Sequence, residues 1–247
     1  MPVEKLWKLA ENKRSRIILA VDFTRLPQEA SKILRIQHLT TLLRELRHYV
    51  AGVKIGFPLS LQVDFEGIKY IIEEFREDYY FIADFKLADI PDVVEYELNE
   101  LSAMGFDGAI IHLFPLGYGE VIRKTSAKID IYGLIVMSHK GAIFFEENFE
   151  RLLEYASSIY EIAGVVVGAT RLNYIKKARK TLKEKIILSP GVGIQGTPFG
   201  EALKHGADFE IIGRSITLST NPRKKAKEII EKQILTLTSW KKQRYII

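Results

Sequence analysis

The chain contains no cysteine. That excludes disulfides, thiolate metal sites and a cysteine nucleophile, and it fits a cytoplasmic location. No run of about 18 or more apolar residues occurs, so no membrane span is expected. The opening stretch MPVEKLWKLAENKRSR is charged throughout and lacks an apolar core, so no signal peptide is expected either. There is no Gly/Pro/Ser-rich linker and no low-complexity tract, and residues 1–247 read as a single domain. Zinc-finger, helix-turn-helix and RNP-type motifs are missing. The net charge of +5 therefore reads as a solvated basic surface or as attraction for an anionic substrate, with no nucleic-acid partner expected. No Ser-x-Gly pattern surrounds Ser138, which argues against a hydrolase triad.

What is present is a regular alternation of short β-branched runs with helical patterns. The strand candidates are 16–23, 51–56, 80–86, 108–113, 132–137, 164–168, 185–189 and 209–213. Between them lie amphipathic stretches, among them 31–49, 59–75, 91–104 and 146–161. In the first, Ile33, Ile36, Leu39, Leu42, Leu43 and Leu46 recur every three or four positions, the spacing of a helix burying one face. Pro91 stands where a first helical turn tolerates proline. Runs such as IILAV and GVVVGA suit parallel strands covered on both faces. Eight strand–helix units in 247 residues predict an α/β fold, a (β/α)₈ TIM barrel, over an open doubly wound sheet. Residues 1–13 form a leading helix or arm. Residues 224–247 form a terminal helix whose apolar end, Tyr245, Ile246 and Ile247, is expected to dock on the barrel.

Charged residues inside such strands are the anomaly. Asp22 ends the first strand, Lys54 lies near the end of the second, and Asp84 and Lys86 end the third. Side chains alternate faces along a strand, so Asp84 and Lys86 should share one. Buried charges are costly unless paired, and this array alternates in sign. It can be a structural salt-bridge network, but catalytic residues of this architecture sit at the C-terminal ends of strands. Asp89, three residues on, reads by itself as a helix N-cap. Ser189-Pro190-Gly191-Val192-Gly193 and Gly213-Arg214 end the last two strands. Loops after strands 7 and 8 often hold phosphate. Glycines there admit backbone N–H groups to a ligand, and an arginine can grip phosphate with two bonds. The segment 193–200 reads as a closing lid. His112 reads as a satisfied core histidine, His139 as a neighbour of the site, and Glu95, Glu97 and Glu100 as a solvated helix face.

The strings AVDF, VKIGFPL, IADFKLADIP, VMSHKGA, LSPGVGIQG and IIGRSI, in that order, resemble orotidine 5′-phosphate decarboxylases of the short archaeal type over nearly the whole chain. Two positions depart from the family pattern. Val93 stands where a threonine is common, and Lys140 stands where SHPGA is frequent. The related metal-dependent sugar-phosphate lyases carry an acidic metal ligand on the second strand. Here that place holds Lys54, which cannot bind Mg²⁺.

The resemblance implies decarboxylation of orotidine 5′-monophosphate to uridine 5′-monophosphate with no metal and no cofactor. It implies that Asp22 and Lys54 hold the ribose hydroxyls, that Asp84 lies beside the substrate carboxylate, and that Lys86 protonates C6. Asp89, with Ile90 and Val93, would reach the neighbouring site of a homodimer. Ser138 would touch the pyrimidine, and Pro190, Gly191, Val192, Gly193, Gln195, Gly213 and Arg214 would surround the phosphate end. These residue types suit the chemistry. Loss of CO₂ from C6 leaves an in-plane anion that the ring cannot delocalise, so protein charge must stabilise it. Repulsion between Asp84 and a carboxylate about 4 Å away would contribute roughly 4 kcal/mol at an effective dielectric near 20. That is small beside the ~8–23 kcal/mol by which enzymes lower barriers, so stabilisation by Lys86 should dominate. The nearest alternative is an Mg-dependent sugar-phosphate decarboxylase or aldolase of the same barrel type, and a noncatalytic phosphate- or nucleotide-binding barrel is the alternative of a different class.

Overall fold

The computed structural model describes residues 2–22 and 26–244. In chain order its elements are α1 (Pro2–Lys13), β1 (Ile17–Ala20), α2 (Lys32–Leu46), β2 (Gly52–Gly56), α3 (Phe57–Phe75), β3 (Tyr80–Leu87), α4 (Pro91–Ala103), β4 (Gly108–His112), α5 (Tyr118–Lys124) and β5 (Asp130–Val136). There follow α6 (Ile143–Glu147), α7 (Phe149–Ser158), β6 (Gly164–Val167), α8 (Leu172–Leu182), β7 (Ile186–Pro190), α9 (Glu201–Lys204), β8 (Phe209–Ile212), α10 (Arg214–Thr217) and α11 (Pro222–Arg244). The eight strands are parallel and close on themselves in sequence order, β8 pairing with β1. This is the expected (β/α)₈ barrel.

Local chemistry explains the element ends. Ser31 caps α2, its hydroxyl accepting from the Leu34 N–H at 3.3 Å. Pro58 opens α3 and Pro91 opens α4, where the missing N–H costs nothing. Within α3 the helix breaks at Asp64, whose carboxylate accepts from the Gly67 N–H at 3.0 Å and so starts a second helical segment. The predicted helix 146–161 is two helices, α6 and α7, divided at Asn148. Asn148 Nδ2 donates to the Phe144 carbonyl and ends the first. The lone stretch Gly164–Val167 is buried throughout, as a strand covered on both faces must be.

The core runs around the barrel between strands and helices and into its interior. The N-terminal floor of the barrel is polar. The Tyr80 hydroxyl donates to Asp130 Oδ2 at 2.6 Å and lies 3.0 Å from the Tyr132 hydroxyl. Gly108 leaves room for these rings, because a Cβ there would sit 2.8 Å from the Tyr80 oxygen. Burial pushes the Asp130 carboxyl up to about 6, against the bond from Tyr80 that favours its ionised form. α1 closes this end, with Lys5 bonded to Asp107 at 2.6 Å.

The expected docking of Tyr245, Ile246 and Ile247, and Phe23 at the end of the first predicted strand, lie outside the described residues. No helix among the described residues is long and apolar enough to cross a membrane.

Candidate active site

The charges cluster where parallel register dictates. Ala20 pairs with Lys54, and Gly56 pairs with Asp84, so the ends of β1, β2 and β3 lie side by side. Lys54 Nζ lies 2.9 Å from Asp22 Oδ2 and 2.7 Å from Asp84 Oδ2. The other Asp84 oxygen takes Lys86 Nζ at 2.8 Å. The order Asp22–Lys54–Asp84–Lys86 is thus a continuous chain of alternating charge. Burial alone would push the Lys54 ammonium down and the Asp84 carboxyl up. The ion pairs outweigh burial: Lys54 is held above the usual lysine value by Asp84 and Asp22, and Asp84 below the usual aspartate value by Lys54 and Lys86.

Burial grades along the array. The Lys54 side chain is 7% exposed and that of Lys86 38% exposed, so Lys86 is the cation that faces the opening. Simple alternation does not carry Lys86 there. The pairing of β3 with β4 shifts between Ala83 and Leu87, and Lys86 has φ of +53°, in the left-handed region. Such backbone is uncommon for a residue with a side chain and concentrates at functional sites. Asp22 depends on a glycine. A Cβ at Gly56 would fall 2.1 Å from Asp22 Oδ1. That oxygen is buried and has no hydrogen-bond partner among the described residues.

Two connected cavities occupy the mouth. One, of about 210 Å³, is lined by Asp22, Lys54, Asp84, Pro190, Gly191, Val192, Gln195, Gly213 and Arg214. The other, of about 140 Å³, shares Lys54, Asp84 and Pro190 and adds Lys86 and Ser138. The Ser138 hydroxyl donates to Gln195 Oε1 at 2.7 Å, which ties the loop after β5 to the loop after β7. Gly191, with φ of +102°, brings the backbone so close that a Cβ would meet that of Ser138 at 2.7 Å. The predicted lid is a tight turn, Gly193 N–H to Thr197 O at 2.8 Å and Gly196 N–H to Gly193 O at 2.9 Å. The turn aims Gln195 at the mouth, and Gly193 lines a shallower recess beside it. The apolar residues beneath, Ile110, Leu134, Val166 and Ile211, were legible only as members of apolar runs, with no sign of which ones face inward.

Asp89, Ile90 and Val93 stand apart from these cavities. Asp89 lines a groove of about 940 Å³ outside the mouth, which Lys86 also borders. Ile90 and Val93 are exposed. Asp89 is not the N-cap of α4: that residue is Ile90, with no side-chain cap, and Asp89 Oδ1 instead accepts from the Ile90 N–H at 2.7 Å. The Asp89 backbone is fixed by the Tyr118 hydroxyl, which donates to its carbonyl at 2.6 Å.

Two further expectations fail. His112 is not satisfied: it stacks on Phe145 at 5.7 Å, yet its Nδ1 is buried without a partner. Burial, helped by Lys86, lowers its pKa to about 4, so it is neutral beside the array. Glu97 is not a solvated residue of its helix face. Its Oε2 is buried and unpartnered, and burial and Asp89 raise its pKa.

Comparison with known proteins gives the family of the chain. Residues 15–229 match the family model described as orotidine 5′-phosphate decarboxylase / HUMPS family. A relative named orotidine 5′-phosphate decarboxylase from Sulfurisphaera tokodaii is 36% identical over 206 residues, 81% of this chain and 92% of that protein. One of the same name from Methanococcoides burtonii is 35% identical over 89% of this chain and 97% of its own length. The crystal structure of orotidine 5′-monophosphate decarboxylase from Metallosphaera sedula superposes with a TM-score of 0.75 at 33% identity, covering 90% of this chain and 99% of that one.

Proposed function

This chain belongs to the orotidine 5′-phosphate decarboxylase / HUMPS family and is an enzyme of that decarboxylase class, and from that premise we propose that Lys86 is the acid that completes a metal-free conversion of orotidine 5′-monophosphate to uridine 5′-monophosphate. The observation that carries this reading is the alternating array, with Asp84 bridging both lysines at 2.7 and 2.8 Å. The C6–carboxylate bond breaks, its electron pair stays on C6, and CO₂ leaves. Lys86 Nζ then delivers a proton to C6 and is reprotonated from solvent. The Asp84 countercharge keeps Lys86 charged until that moment.

The rest of the mouth supports the same substrate. Asp22 Oδ1, unpartnered among the described residues, can accept from a donor such as a ribose hydroxyl. Gln195, the backbone at Gly191 and Gly213, and Arg214 offer donors for a phosphate. Ser138, already bonded to Gln195, can face a pyrimidine edge. The ammonium of Lys54 fills the space between Asp22 and Asp84, where a metal-dependent relative would need a cation. Activity should therefore survive EDTA; its loss would favour the sugar-phosphate lyase reading.

Asp89, Ile90 and Val93 belong to a second part of the proposal, a homodimer whose partner covers the groove outside the mouth. Phe57, Phe65 and Tyr96 line that groove and are more than half exposed, as is Ile90 next to Asp89. Sedimentation of the wild type should give a dimer.

The test of the acid is the decay of orotidine monophosphate absorbance with wild type and Lys86→Ala. The variant should fold, bind uridine monophosphate and lose on the order of 10³-fold or more in kcat. Equal rates would eliminate Lys86 as the acid, and binding without turnover in the wild type would leave a nucleotide-binding barrel.

A further inference from the structure

The end of the barrel opposite the mouth holds a separate cavity of about 470 Å³. Its wall is cationic: Arg16, Lys176, Arg179, Lys204 and His205 line it together with Trp7. These come from the approach to β1, from α8 and from the end of α9, so the fold, not one helix face, brings them together.

The cations differ in how far they are already committed. Arg179 is saturated. Its Nε donates to the Gly206 carbonyl at 2.8 Å, NH1 to the carbonyls of Lys183 and Lys185, and NH2 to Asp208. Asp208, the carboxylate that faces the cavity, is spent on Arg179 and on the Ile187 N–H at 2.8 Å. His205 Nδ1 is taken up by the Glu201 carbonyl at 2.8 Å, and Lys204 lies 3.6 Å from the Glu201 carboxylate at the rim. Arg16 is the exception. Its guanidinium lies over the Trp7 ring at 4.4 Å and near Phe209 at 5.6 Å, its backbone N–H donates to Gln233 Oε1 at 3.3 Å, and Asp208 and Glu11 act on it as nearby charges.

A half-buried guanidinium carries five donors in a planar fork. The same fork matches two oxygens of a phosphate, and aromatic stacking fixes its plane in advance. Lys176 and Lys204 are exposed at the rim and can close over a ligand held by Arg16. Arg16, Lys176 and Lys204 facing one concavity favour a multiply charged anion, since a single carboxylate would match only one of the three.

We propose that this cavity is a binding site for a small multivalent anion of the phosphate class, gripped by Arg16 and flanked by Lys176 and Lys204. It is independent of the barrel mouth and of the reaction assigned there.

The chain has two tryptophans, so Trp240→Phe leaves Trp7 as the reporter. In that background, with Arg214→Ala added to disable the grip in the mouth, pyrophosphate is titrated at constant ionic strength. The expected result is a saturable change in Trp7 emission with Kd on the order of 1 mM or tighter. Arg16→Gln should weaken it about tenfold. The same Arg16→Gln change in the otherwise wild-type enzyme should leave decarboxylation unaltered. Should Arg16→Gln prove unstable, the double change Lys176→Ala and Lys204→Ala, at exposed rim positions, should weaken binding by a similar factor. A linear, unsaturable response, or full affinity retained in the rim variant, would overturn the proposal.

Discussion

The two ends of the barrel treat buried polar groups in opposite ways. At the mouth, Asp84 and Lys54 are almost wholly buried and yet charged, because each carboxylate oxygen meets an ammonium. At the floor, about four residues earlier on the same β3, Tyr80 meets Asp130 and Tyr132 with no cation bonded to them among the described residues. Burial raises Asp130, Tyr80 and Tyr132 alike, toward their neutral forms. Countercharge holds the buried carboxyl of Asp84 below its ordinary value; a hydrogen bond from a neutral tyrosine does not offset burial at Asp130. The mouth can therefore act on charge developing in a substrate, whereas the floor can only hold the barrel shut.

The largest effect should come from removing the cation that defines the difference. Lys54→Met leaves Asp22 and Asp84 buried and facing each other. Breaking a buried pair in this way costs about 3–5 kcal/mol, to be read from urea unfolding. The kcat/KM should also fall by on the order of 10³-fold, because Asp84 loses its fixed geometry. A stable, active Lys54→Met protein would show that the array is an ordinary salt-bridge network.

The floor predicts a pH dependence of the opposite sign from the mouth. Asp130 is raised from 3.8 to about 6 on folding. The folded state therefore holds its proton more tightly, and this contribution to stability is complete below about pH 4 and is lost as pH rises toward about 6. Above that the cost is constant, up to about 3 kcal/mol for a shift of about two pH units. Asp130→Asn should be more stable than wild type at neutral pH, the gap closing toward about pH 4, with unchanged kcat. A gap independent of pH would mean that folding leaves the Asp130 pKa unshifted. Asp84 has the reverse sense: its stabilisation is present above the unfolded pKa and lost as acid protonates it.

The same contrast marks what could be read from the residues alone. The strands and the array at their ends were legible because charged residues stand near or just beyond the C-terminal ends of the apolar runs of β1, β2 and β3. The phosphate end was legible as two glycine-bearing strand ends. The backbone turn at Lys86 was not, since a left-handed lysine has no local signature and is imposed by the slipped pairing of β3 with β4. The floor was missed for a related reason. Tyr80, Asp130 and Tyr132 become partners only through barrel closure. Glu97 reads as a surface residue because helical spacing cannot reveal a groove, and the cap at Asp89 failed because the chain enters α4 one residue later, at Ile90.

A smaller, sharper test uses the glycine that separates the two regimes on β2. Gly52, near the floor, would place a Cβ 2.9 Å from a backbone oxygen of Tyr80, so substitution there should disturb the sheet itself. Gly56, at the mouth, would meet only the movable carboxylate of Asp22, at 2.1 Å. Gly56→Ala should therefore keep the fold while forcing Asp22 off Lys54. A group displaced by about 1 Å can cost roughly 10²-fold in rate. The loss expected here is about 10- to 100-fold in kcat/KM, carried mainly by KM if Asp22 binds substrate without joining the chemistry. A fall in kcat at constant KM would instead tie Asp22, through Lys54, to the reacting end of the array.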